Sequence, residues 1–125
     1  MSFDWLAYLN LAQELAGQAT SRSNREAKLR SAISRAYYSV FCQARNHLRD
    51  KEGHSIPFGM NPHEYVRDQF VKSADKARKG VGVNLNRLRI DRNKADYDDT
   101  VAGLSATTKK SLRRAKQIIS QLRSL

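Results

Sequence analysis

Arg92, Asn93, Asp96 and Tyr97 fall within one short stretch of the chain, Leu85 to Asp99, LNRLRIDRNKADYDD. A guanidinium can hold a phosphate, a carboxylate four residues on can orient that guanidinium or act as a base, and a phenol can donate to an oxygen. On a helix, Leu85, Leu88, Arg92, Ala95 and Asp96 share one face, so an apolar stripe runs directly into an Arg/Asp pair. The plain alternative is a local helix salt bridge, worth only a few tenths of a kcal/mol if solvated. Charges that continue a core stripe point instead to a groove or a subunit interface. Tyr97 lies one step round the helix, beside Asn93.

The stretch needs a scaffold, and 125 residues with no composition break are most simply one domain, 1–125. Apolar residues at 40% and charged residues at 28% are ordinary globular usage. The balance of 23 Lys+Arg against 12 Asp+Glu gives +11 and a pI near 10.2, which points to an acidic partner, most commonly nucleic acid. A membrane partner is not expected, since no stretch approaches the apolar length of a spanning helix. The start, MSFDWLAYLNLAQ, has no basic segment of the kind that opens a signal peptide, and a cytoplasmic protein is the expectation. Cys42 is the only cysteine and is expected to be a buried, inert thiol.

Periodicity predicts about five helices and no strand. Residues 3–18 read as the first, with Asp4 at its start and Trp5, Leu6, Leu9, Ala12 and Ala16 at helical spacing. Ser23 to Glu26 make a capping-box pattern that opens a long helix to about Asp50, roughly 40 Å at 1.5 Å per residue. Its inward stripe is Leu29, Ile33, Ala36, Tyr37, Val40, Phe41, Ala44 and Leu48. A polar stripe runs beside it: Arg30 and Arg45 read as solvated, while Tyr38 calls for a hydroxyl partner on the next helix or subunit. Gly53 to Met60 is a loop. Asn61-Pro62-His63-Glu64 then starts a third helix, with Tyr65, Val66 and Phe70 inward and Ala74 and Ala77 as candidate continuations. Lys76, Arg78 and Lys79 meeting Gly80-Val81-Gly82 read as a helix end and a break, after which the Arg92 helix runs from about Val83 to Tyr97. Ser105 or Thr107 caps a last helix through Gln121, with Leu112, Ala115, Ile118, Ile119 and Leu122 inward. Its outer face carries Lys109, Lys110, Arg113, Arg114 and Lys116, candidates for phosphate contact. His47, His54 and His63 match no metal-site spacing, and neither a metal nor a cofactor is expected. The fold class is all-α: a helical bundle with one long central helix.

Two segments, Ser34-Arg35-Ala36-Tyr37-Tyr38-Ser39-Val40-Phe41 and Leu88 through Asp98 (LRIDRNKADYD), resemble the HEPN superfamily, the second its branch whose arginine signature ends in Ala-Asp-Tyr. Size, helix order and the long second helix agree with it. The resemblance implies an all-α bundle that dimerises with the signature helices facing each other across a basic groove. It also implies RNA as the partner, because many members are metal-independent ribonucleases of toxin–antitoxin or phage-defence systems. Many are encoded beside a nucleotidyltransferase-like partner. The family motif is Arg, four to six residues, then His. Arg92 matches the arginine and Asn93 the polar residue after it, but Tyr97 stands where the histidine could be and no histidine follows His63.

The departure matters because metal-free RNA cleavage needs groups that accept and donate protons near neutrality, which imidazole does well and an unperturbed phenol does poorly. The leading expectation is a HEPN-like protein binding RNA through Arg92, Asp96 and Tyr97, with Arg89, Asn93, Tyr38, Arg113 and Arg114 as further contacts. Cleavage, if present, would be metal-independent. The alternative is a non-catalytic module or regulatory subunit that docks nucleic acid, an antitoxin or a nucleotidyltransferase-like protein.

Overall fold

In the computed structural model, which describes residues 2–20 and 24–125, one helix touches all the others. This is α2, Arg25–Glu52, and around it lie α1 (Leu6–Gly17), α3 (Pro62–Val71), α4 (Lys76–Tyr97) and α5 (Leu104–Arg123). No strand occurs among the described residues. Every residue of the expected α2 stripe, from Leu29 to Leu48, is buried. From Ala36 to Leu48 it joins Leu9 and Ala12 of α1, Val66 and Phe70 of α3, Val81, Leu85 and Leu88 of α4, and Ala115, Ile118 and Ile119 of α5 in one continuous core. Gly53 ends α2 in the left-handed conformation (φ 72°), which a residue without Cβ adopts freely. Ser23 of the expected capping box lies outside the described residues.

α3 begins as its sequence dictates. Asn61 Oδ1 accepts from the amides of His63 (2.9 Å) and Glu64 (3.3 Å), and Pro62 sits where no amide hydrogen is needed. The helix stops at Val71, however, and Ala74 and Ala77 are exposed rather than inward. Asp75 then caps α4 through Ala77 N (2.8 Å), and α4 continues without interruption through Gly80 and Gly82.

The expected break at Gly80-Val81-Gly82 is therefore a packing device. A Cβ built on Gly82 would lie 2.5 Å from Val71 N and 2.6 Å from Val71 Cγ2, so only glycine lets the end of α3 rest on α4. The last helix also starts earlier than Ser105 or Thr107. Gly103 caps it with a positive φ of 63°, and Thr108 turns its hydroxyl onto Leu104 O (2.8 Å).

Arg30 and Arg45 do not form a solvated face. Arg30 reaches across to the end of α4, donating to Ala95 O (3.0 Å), Asp98 O (2.6 Å) and Asp99 O (3.1 Å). It thereby satisfies carbonyls that a helix end leaves open. Arg45 lies half-buried over the Trp5 ring, 5.6 Å from its centroid. Trp5 in turn packs edge-on with Phe3 and Tyr8, docking α1. Burial raises the Cys42 thiol above its ordinary range, as an inert core thiol requires. At the other end of α2, the loop before α3 holds Phe58 fully in solvent.

Candidate functional site

α4 carries Leu85 and Leu88 into the core, and one turn later the same face delivers Arg92, whose side chain is only 12% exposed. Three neighbours hold it. Arg92 Nε donates to Asp96 Oδ2 (2.8 Å), Nη1 to Asn93 Oδ1 (3.0 Å) and Nη2 to Tyr38 Oη (2.6 Å). The Tyr38 hydroxyl thus has its partner on the neighbouring helix. A guanidinium has five N–H donors and these contacts engage three, leaving two for a ligand. Its plane lies among aromatic rings, 4.9 Å from Tyr38, 5.6 Å from Tyr97 and 5.8 Å from Tyr37. Such a cation is preorganised, because its rotamer is fixed before any anion arrives.

α2 supports the arrangement from below. Ser34 Oγ donates to Asp96 Oδ2 (3.3 Å), and Arg35 Nη2 donates to Ser34 Oγ (3.4 Å) while lying over the Tyr38 ring at 5.3 Å. Asp96 is thereby held by two groups, which suits it to orienting Arg92.

One turn before Arg92 stands Arg89, and it contrasts with its neighbour. No hydrogen bond or ion pair engages it among the described residues, and its Nε is inaccessible to solvent without a partner. A half-buried guanidinium without a counter-ion has the chemistry to take an anion.

The unexpected member is His63. The first turn of α3 brings its ring against α2, stacked on Phe41 with centroids 4.3 Å apart and on Tyr37 at 5.6 Å. Nδ1 lies 2.6 Å from Tyr37 Oη. Tyr37 is wholly buried, and burial pushes its phenol far above the usual range, so it stays protonated. Burial lowers His63, and the positive fields of Arg89 and then Arg92 lower it further. An imidazole thus does face the arginines of α4, from a different helix. Its sequence signal was the Asn61-Pro62 start, which fixes His63 in a first turn, but nothing local said where that turn would dock. Tyr37 reads from sequence only as core, and Arg35 only as part of the segment that carries the family resemblance.

The remaining candidates lie apart or at the rim. Tyr97 is 72% exposed. Arg114 pairs with Asp91 (3.6 Å), and Arg113 is exposed on α5; among the described residues no hydrogen bond or ion pair joins either to the Arg92 cluster. No group of His, Cys, Asp and Glu among the described residues is arranged to hold a metal ion.

An all-α bundle with a basic, arginine-centred cluster between its second and fourth helices is the class this geometry defines. The HEPN domain model matches residues 8–125, nearly the whole chain, and the protein belongs to the HEPN domain family. Neither the curated proteins nor the solved structures include a match. No helix among the described residues is long and apolar enough to cross a membrane.

Proposed function

We propose that this HEPN protein binds RNA in a groove centred on Arg89 and Arg92, acting as the RNA-directed component of a prokaryotic toxin–antitoxin or defence system. The observation that carries it is the pair of arginines: one locked in place with two donors free, the other with no counter-ion, on a chain of net charge +11. Asn93, Asp96, Tyr97 and Tyr38 line or support the same cluster. Arg113 and Arg114 would extend contact to phosphates further along the strand.

The chemistry that fits is metal-independent endoribonucleolytic cleavage, with Arg92 stabilising charge on the scissile phosphate. A homodimer is part of this proposal. α4 exposes Val83, Ile90 and Tyr97 at seven-residue spacing, an apolar stripe bordering the arginines that a second copy of α4 would cover.

The test is cleavage of labelled RNA by purified protein in chelator, with Arg92→Ala and Tyr97→Phe alongside. Cleavage that Arg92→Ala abolishes without loss of fold is the expected result, and binding should fall steeply with added salt. Salt-insensitive binding would instead favour a module that docks an antitoxin or a nucleotidyltransferase-like protein, the second reading. The exposed Tyr97 gives that reading its footing.

A further inference from the structure

We propose that His63 is the proton donor of this site, meeting the phosphodiester held by Arg89 and Arg92 as an imidazolium and passing its Nε2 proton to the leaving oxygen. The proposal rests on the RNA-directed function above, and it fills the chemical role that α4 leaves empty.

Geometry leaves His63 one nitrogen to use. Stacking on Phe41 and Tyr37 fixes the ring plane, and Nδ1 is committed to Tyr37 Oη, so Nε2 is the ring nitrogen without a partner among the described residues. A hydroxyl can donate or accept. While His63 is neutral, Nδ1 is the one acceptor within reach of the buried Tyr37 hydroxyl among the described residues, which puts the ring hydrogen on Nε2.

The groups that face the ring are Tyr37 and Tyr38 from α2 and Arg89 and Arg92 from α4, with Glu64 and Arg67 nearest on its own helix. No hydrogen bond or ion pair joins a carboxylate to it among the described residues. The field of Arg89, which no carboxylate offsets, and that of Arg92, which Asp96 offsets in part, therefore oppose its protonation until an anion arrives. A bound phosphodiester reverses the balance: Nδ1 takes a proton, the Tyr37 oxygen becomes the acceptor, and the same short contact survives. RNA binding is thus coupled to proton uptake at His63.

The step balances. The RNA 2′ oxygen forms a bond to phosphorus as the bond from phosphorus to the 5′ oxygen breaks. The 2′-hydroxyl proton leaves to water, the 5′ oxygen takes the Nε2 proton, and neutral His63 later regains a proton from water. The products are a 2′,3′-cyclic phosphate and a 5′-hydroxyl.

The experiment follows the three histidine rings by NMR between about pH 4 and 8, with and without a short 2′-O-methyl oligoribonucleotide that cannot be cleaved. Binding is read separately by fluorescence anisotropy. The expected result is a His63 titration that moves up by about one pKa unit or more on binding, a tenfold change. In a parallel assay, His63→Gln should slow cleavage of ordinary RNA by about a hundredfold but leave nearly unchanged the cleavage of RNA with a 5′-thio leaving group, which needs no proton. Binding with an unmoved His63 curve overturns the proposal and leaves RNA binding standing. Equal slowing of both substrates, or no cleavage by wild type despite binding, overturns the donor role. Absence of binding defeats the RNA-directed function, and this proposal with it.

Discussion

Tyr37 and Tyr38 are chain neighbours with the same side chain, and one helical step separates their fates. Tyr37 is sealed in the core with its hydroxyl on His63, while Tyr38 sits in the Arg92 cluster and accepts from Arg92. The burial of His63 near Arg89 and Arg92 has a consequence for stability. Because the fold lowers the His63 pKa, the unfolded chain binds that proton more readily. The contribution is fully present above the unfolded value of about 6.5 and is lost as pH falls from there through the lower folded value. Urea melts at stepped pH should show this acid-side loss, and His63→Gln should flatten it. At this scale the sequence was readable where partners share a helix, since Arg92 and Asp96 are four residues apart. Tyr38 could be seen to need a partner, though not which one. His63 escaped notice because it precedes Arg92 by 29 residues and reaches it only through the docking of α3.

The same division between local and long-range information governs the elements. The buried stripe of α2 and the Asn61-Pro62 start of α3 follow from periodicity and capping, which are properties of a few turns. Gly80 and Gly82 looked alike in sequence, because a helix-breaking tendency is all that glycine declares locally. Their surroundings give them opposite signs. Gly82→Ala would force a Cβ into Val71 backbone and should cost about 1–3 kcal/mol. Gly80→Ala meets only the flexible end of Gln121, at 3.0 Å, and should stabilise α4 by about 0.5–1 kcal/mol. Thermal melts of the two variants decide it. Arg30 departs from the solvated role its position suggests for a related reason: the three carbonyls it caps come within its reach only when α4 ends beside α2.

Across the whole molecule, charge and the face of α4 set what can approach. A net charge of +11 keeps copies apart unless an apolar seam or a polyanion brings them together. If α4 pairs with its own copy, Ile90→Glu places like charges across the seam and should convert a dimer of wild type to a 14.2 kDa particle by light scattering, with the melting temperature of the monomer little changed. A wild type that is already monomeric at micromolar concentration would remove the seam. The all-α class and the long central helix were legible from composition and period; the partner of an exposed stripe is not a property of one chain. Phe58 marks a different kind of boundary. It stands fully in solvent between α2 and α3, the preferred setting for a protease that cuts after aromatic residues. A nick there would divide Tyr37, Tyr38 and Ser34 from His63, Arg89 and Arg92, so neither fragment would hold the whole cluster. Mixing residues 1–58 with 59–125 should rebuild it through the core of α2, which would let the two fragments report the proposed RNA binding.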